Sequence, residues 1–201
     1  MKAMVLYEIT DLHKNRFPLR SVELQAPEPK DNELVVRVLT CGVCHTDIDV
    51  IEGRTPPTRL PVIPGHQVVG VVEKRGRNAT RFKKGEQIGI AWINSSCGTC
   101  FFCQNGEENL CDRFRATGRD ADGGYAEYIA VSEDFTYRIP VVFSAAEAAP
   151  LLCAGAIGYR SLRLTKMHDG DALGLVGFGA SGHIVLKLVR HLYPTSRVFV
   201  F

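Results

Sequence analysis

The sequence predicts a mixed β and α/β chain. A β-rich lobe occupies residues 1–145, and a strand, a glycine turn, a helix and a second strand follow within residues 146–201. Two observations carry this reading. Up to about residue 140, runs rich in Val, Ile and Tyr alternate with clusters of Gly, Pro, Asn and Asp, the texture of short strands joined by tight turns. From Ser144 onward Ala, Leu and Arg dominate, and a glycine-rich turn follows an apolar run. At 201 residues the chain is long enough for a sizeable core and for between one and two domains.

The β-rich part places strands at 33–39, 68–73, 87–91 and 125–131. Ser144-Ala145-Ala146-Glu147 reads as a capping box, with the serine hydroxyl and the glutamate carboxylate serving each other's backbone N–H, so helices begin there and run to about Leu164. Residues 172–176 read as a fully buried strand, 183–192 as a helix and 197–201 as a further strand.

Between the last two strands lies Gly177-Phe178-Gly179-Ala180-Ser181-Gly182. A lone Gly-x-Gly-x-x-Gly is a weak signal, but strand, turn, helix and strand form the context of a dinucleotide-binding Rossmann unit. Gly177 would permit the tight turn, Gly179 would let backbone approach a pyrophosphate, and Gly182 would let helix and strand pack closely. The anion would rest on the helix N-terminus, where unpaired N–H groups and the helix dipole favour negative charge. A complete dinucleotide domain would need about 100–150 further residues, so the segment is expected to belong to a longer protein.

The cysteines supply the second chemistry. Four of seven fall within fifteen residues, at Cys97, Cys100, Cys103 and Cys111. An odd total and such crowding argue against a disulfide framework and for a metal. Four thiolates at tetrahedral corners close a zinc site with no open position, so the lobe is expected to be structural. An iron–sulfur cluster is a second occupant compatible with the same four thiolates. Cys41, Cys44 and Cys153 remain. A catalytic zinc takes three protein ligands and leaves one position open, and two cysteines with one histidine form one such set. Among the six histidines His66 stands out, because Pro61-Val62-Ile63-Pro64-Gly65 fixes its approach and an apolar run follows it. Taken alone, His66 also reads as a structural histidine and Cys153 as a small buried hydrophobe.

Charge and hydropathy exclude other classes. A net charge of +2, with no basic patch around residues 97–111, speaks against nucleic acid. The longest apolar stretch, 145–157, is broken by Glu147 and Pro150 and falls short of the ~20 residues a bilayer span needs. The first residues lack the apolar run and cleavage site of a secretion signal, so a cytoplasmic, reducing setting is expected.

A cysteine-rich lobe, a candidate Cys2His set and a glycine turn, in that order, resemble the zinc-dependent medium-chain alcohol dehydrogenases across essentially the whole chain. Gly42-Val43-Cys44-His45-Thr46-Asp47, Pro64-Gly65-His66 and Leu151-Leu152-Cys153-Ala154-Gly155 are similar to the three catalytic-zinc segments, which leaves Cys41 as a bystander. The propanol-preferring, yeast-like and cinnamyl-type subgroups are the nearest in motif. The resemblance implies a GroES-like β-barrel catalytic domain followed by the first βαβ unit of a Rossmann domain. It implies one catalytic and one structural Zn²⁺, NAD or NADP as cofactor, and a homo-oligomer at full length. The implied activity is reversible oxidation of small primary alcohols to aldehydes by hydride transfer.

On that resemblance Cys44, His66 and Cys153 hold the catalytic zinc, and Cys97, Cys100, Cys103 and Cys111 the structural one. Thr46 relays the alcohol proton and Asp47 orients His66. His45 contacts a cofactor phosphate, and Trp92 narrows the substrate channel toward short, unbranched alcohols. Two positions depart from the family pattern: Gln67 replaces a glutamate behind the metal, and Asp49 replaces the last histidine of a proton relay. A cinnamyl-type aldehyde reductase and a non-catalytic, zinc-stabilised truncated module are the alternatives.

Overall fold

The computed structural model describes residues 1–201, which divide into two compact units, Met1–Ala149 and Pro150–Phe201. No helix is long and apolar enough to cross a membrane.

The first unit opens with an antiparallel pair, β1 (Lys2–Leu6) and β2 (Leu19–Glu23). The long strand β3 (Glu33–Gly42) leads into a two-turn helix α1 (His45–Ile51), and β4 (Gln67–Arg75), β5 (Gln87–Ile90) and β6 (Ile93–Ser95) follow. After a short helix α2 (Phe101–Gln104) come β7 (Arg115–Ala116), β8 (Tyr128–Ser132), β9 (Thr136–Arg138) and the one-turn helix α3 (Ala145–Ala148). The main sheet has five strands in the order β8-β3-β4-β5-β9, every neighbouring pair antiparallel.

Central position explains the sequence texture of β4. With strands on both edges and Phe82 packed into the same core, residues 68–70 are all buried, so the run is continuously apolar rather than alternating. Leu34, Val36, Val68, Val72, Ile88, Ile90, Ile129 and Val131 make the main cluster. A second cluster of Leu6, Val50, Ile51 and Val62 clamps the last turn of α1. That clamp matters because α1 carries Thr46 and Asp47 on its first turn.

The second unit consists of α4 (Ala154–Thr165), β10 (Ala172–Leu175), α5 (Ala180–Leu192) and β11 (Arg197–Val200). The two strands are parallel and joined through α5, so the unit is a βαβ crossover as the glycine motif predicts. Gly158 on α4 lets the helices meet, since a Cβ there would stand 2.8 Å from the Val185 methyl on α5. Leu162, Val185 and Val189 form a small core against Leu173, Leu175 and Val198.

Three local expectations need correction. The strand at 172–176 is not fully buried: Leu173 and Leu175 turn toward the helices, whereas Ala172, Gly174 and Val176 are exposed, because a two-stranded ladder has helices packed on one face. The last helix starts at Ala180, three residues early, because Gly179 is extended (φ −82°, ψ −158°) and serves as its N-cap. The strand expected from 125 begins at Tyr128, since the Tyr125 N–H is committed to the Pro64 carbonyl at 3.0 Å. The capping box at Ser144 and Glu147 forms as read, with Ser144 N–H donating to Glu147 Oε2 at 3.0 Å.

Candidate metal centre

His66 stands immediately before β4, and its placement depends on the residue ahead of it. Gly65 has φ +97°, and a Cβ there would lie 2.6 Å from the Tyr125 ring and 2.8 Å from the Cys41 sulfur, so only glycine fits. The imidazole is 1% exposed. Its Nδ1 lies 3.2 Å from Asp47 Oδ1, while the buried Nε2 has no hydrogen-bond partner. Asp47 is itself tied down. Its Oδ2 accepts the Cys44 N–H at 2.8 Å and the Tyr125 hydroxyl at 3.0 Å.

Cys44 is the N-cap of α1, and Asp47 is the third residue of that helix, so one helical turn brings the carboxylate back over the cysteine backbone. The Cys44 sulfur and a His66 ring nitrogen approach within 4.8 Å, and the Thr46 hydroxyl lies 3.7 Å from the same sulfur. Electrostatics follow from this packing. Burial opposes a charged His66, but the Asp47 hydrogen bond and the neighbouring Cys44 sulfur outweigh it and push the ring up to about 9. Burial also raises Asp47, yet the His66 contact and the Cys44 N–H pull its carboxyl below the ordinary value. Tyr125 is raised by burial and by the adjacent Asp47 charge. A polar atom buried without a partner normally costs about 1–3 kcal/mol. Once its proton is displaced, an Nε2 beside a thiol, with the opposite nitrogen fixed on a carboxylate, has the donor chemistry of a zinc ligand.

The second cysteine group closes on itself. The sulfurs of Cys97, Cys100, Cys103 and Cys111 all lie within 4.8 Å of one another, with Cys100 to Cys103 at 3.5 Å and Cys97 to Cys103 at 3.8 Å. Ligands about 2.3 Å from zinc at tetrahedral corners would stand about 3.8 Å apart, so the spacing fits that ion. The N–H groups of Thr99 and Cys100 donate to Cys97 at 3.4 and 3.3 Å and lower that thiol to about 5. The Cys103 N–H lowers Cys100, but loss of water and the adjoining sulfurs raise it more, to about 11. One thiolate forms readily and the next resists, as expected where negative charges crowd without a cation.

Residues 30–141 match the alcohol dehydrogenase GroES-like domain. The chain belongs to this family. It is 48% identical over 176 residues to a probable alcohol dehydrogenase AdhA of Mycobacterium tuberculosis, an overlap of 85% of this chain and 51% of that one. The fold is similar to that of a cinnamyl alcohol dehydrogenase from Sorghum bicolor, with a TM-score of 0.85 and 33% identity over 98% of this chain and 57% of the other. It is also similar to the cobalt- and zinc-bound thermostable alcohol dehydrogenase of Pyrobaculum aerophilum, with a TM-score of 0.89 and 26% identity over 100% and 59% of the two chains. The chain spans about half the length of the curated relatives it matches.

Within this alcohol dehydrogenase GroES-like domain the remaining sequence-predicted residues fall into distinct settings. Trp92 packs edge-on against His66, with ring centroids 5.0 Å apart. Gln67 is buried at the start of β4 beside Gly42, the last residue of β3. Asp49 pairs with Arg54, and exposed His45 lies 3.8 Å from the same carboxylate. Cys41 packs against the main core, and burial pushes its thiol up to about 12, which suits a bystander.

In the second unit Cys153 is the half-buried N-cap of α4. Gly177 adopts φ +82°, and neither it nor Gly179 has any atom within 4 Å of an added Cβ, so the backbone there is open to a ligand. A Cβ on Gly182 would meet the Gly177 carbonyl at 3.0 Å. Its role is to let the first turn of α5 approach the glycine turn, rather than the strand. Tyr125 was not identifiable from sequence: it sits 78 residues from Asp47, and no local pattern links a tyrosine to a carboxylate so distant.

Proposed function

We propose that this chain carries the zinc-binding catalytic domain and the beginning of the cofactor domain of a zinc-dependent alcohol dehydrogenase, which interconverts primary alcohols and aldehydes with NAD or NADP. The observation that carries the proposal is His66, its Nδ1 on buried Asp47 and its Nε2 buried without a hydrogen bond. In this reading Cys44, His66 and Cys153 hold the catalytic zinc, and Cys97, Cys100, Cys103 and Cys111 the structural one. The bound catalytic ion supplies Lewis-acid polarisation that makes an alcohol proton easier to remove near neutral pH. The nicotinamide supplies the hydride acceptor.

The chain's own residues prepare that chemistry. Asp47 accepts the Nδ1 proton of His66 and fixes the tautomer whose Nε2 can donate a lone pair. Tyr125 and the Cys44 N–H occupy the other oxygen of Asp47 and keep the carboxylate from rotating. The Thr46 hydroxyl, beside the Cys44 sulfur, accepts the substrate proton as it releases its own to solvent water. Trp92 walls the space beside His66 and disfavours wide substrates. Gly177 and Gly179 leave room for the cofactor pyrophosphate, and exposed His45 would meet a phosphate. The likeness to the Sorghum bicolor enzyme supports a second reading, with cinnamyl-type alcohols as the substrates.

The test is metal stoichiometry together with turnover, on the protein in a chain of its relatives' length. We expect two zinc ions per chain and alcohol-dependent reduction of NAD⁺ or NADP⁺. Cys153→Ser should retain one zinc and lose turnover. Two zinc ions retained with full activity in that variant would overturn the ligand assignment. Ethanol, propanol and cinnamyl alcohol as parallel substrates separate the two readings, and zinc binding without turnover on any alcohol would leave a non-catalytic module.

A further inference from the structure

Arg119 lies in the turn after β7, and its guanidinium meets three groups at once. It stands 5.5 Å from the centre of the Trp92 ring and 5.7 Å from that of Phe114, two rings that are 6.3 Å apart and tilted by 41°. Its Nε and Nη2 donate to the Asp120 carboxylate, with Nη2 to Oδ2 at 2.6 Å. Asp120 is 1% exposed and accepts the Ala116 N–H at 2.7 Å, so the carboxylate is fixed to β7 and the guanidinium is fixed to the carboxylate. The backbone joins the same arrangement, because the Thr117 N–H donates to the Trp92 carbonyl at 2.8 Å. Trp92 therefore contacts both the Arg119 cation and, with the two ring planes at 80°, the His66 imidazole.

We propose that Arg119 is a specificity-determining positioning residue: locked on Asp120, it pins the Trp92 indole against His66 and thereby sets the width of the substrate space beside that histidine. Three effects act together on the indole. A cation over an indole face is the strongest of the cation–π pairings. A planar guanidinium can lie flat on an aromatic ring while its edge pairs with a carboxylate, which an ammonium cannot do. With Asp120 buried, the ion pair has one geometry, and the indole inherits that geometry. Removing the guanidinium frees the indole to swing off His66 and opens the space to wider alcohols. The proposal rests on the dehydrogenase reading for its substrate consequence, but not for the clamp itself.

The test separates the two. The chain contains a single tryptophan, so fluorescence excited at the red edge of the indole band, and the near-ultraviolet circular dichroism band at wavelengths beyond the tyrosine and phenylalanine signals, report Trp92 alone. In Arg119→Leu and Arg119→Lys the emission anisotropy of Trp92 should fall and its near-ultraviolet signal should shrink, with far-ultraviolet circular dichroism unchanged. In the zinc-loaded protein of its relatives' length, Arg119→Leu should shift the ratio of kcat/KM for cinnamyl alcohol over propanol upward by about tenfold, the scale on which one pocket wall discriminates. The change should fall mainly on KM for the wide substrate, with kcat on propanol held. Unchanged Trp92 signals in both variants would overturn the clamp, whatever the activity. Altered Trp92 signals with an unchanged substrate ratio would overturn the specificity role. If Arg119→Leu does not fold, Arg119→Lys decides, since it keeps the charge and loses the flat fork. An absence of turnover in the unsubstituted protein would refute the dehydrogenase reading and leave the optical measurement to judge the clamp.

Discussion

Asp47 engages three partners, taking His66 Nδ1, the Cys44 N–H and the Tyr125 hydroxyl on two oxygens. An asparagine in its place would keep the shape and lose the charge, and its amide would offer a donor to a nitrogen that must itself donate. Asp47→Asn should weaken zinc binding at the His66 site by about 10–100-fold, the usual cost of removing a carboxylate behind a ligand histidine. Competition against a fluorescent chelator measures this, and an unchanged affinity would show that the carboxylate does not orient the ligand. How much of this was legible in the sequence varies residue by residue. Cys44, Thr46 and Asp47 are close in sequence and were readable together through the motif they share. Tyr125 was invisible, because the fold alone brings it to the carboxylate. Trp92 was readable through the same resemblance, whereas Arg119 looked ordinary until packing set it over the indole.

At the scale of elements, the lobe from Cys97 to Cys111 has almost nothing apolar to hold it. Helix α2 and the single 3₁₀ turn Glu108–Leu110 contain no buried residue, Phe101 is 70% exposed, and Cys111 is the lobe's one buried side chain. A lobe built this way depends on its ligands for order. Stripping the metal with a chelator should therefore abolish amide-exchange protection over residues 97–111 while β3 and β4 keep theirs. Loss of protection in both together would show that the lobe and the sheet unfold as one. The lobe was legible because its four cysteines are local and their spacing is the signal. The ends of α5 and β8 were not, since each is decided by a contact outside the window that a sequence pattern spans: Gly179 taking an extended conformation, and Tyr125 being claimed by Pro64.

Across the whole molecule, stability in acid should carry the mark of Asp120. Burial alone would raise its carboxyl, but Arg119 and the Ala116 N–H hold it below the ordinary 3.8. A carboxyl with a lowered folded value contributes stability that is fully present above the unfolded value and is lost as pH falls through the folded one. Asp120→Asn should accordingly be less stable than the parent at pH 6, with the gap closing as pH drops below 3.8. Urea unfolding of both proteins across that range measures it, and a gap independent of pH would show that the charge of Asp120 contributes nothing. The mixed β and α/β character of the chain was foreshadowed by its change of texture after residue 140. The exposure of β10 was not, because an apolar run marks a strand that can be buried without saying how many neighbours it has.

The first strand has no chemistry of its own, yet it works as a splint for the metal centre. The Met4 N–H donates to the Tyr125 carbonyl at 2.8 Å, and Leu6 exchanges two backbone bonds with Val62, four residues before His66. One short ribbon of backbone thus bridges the segment that delivers the histidine and the segment that delivers the tyrosine bracing its carboxylate. Anything that peels β1 away, such as a bulky tag fused to Met1, loosens both arms of that brace at once.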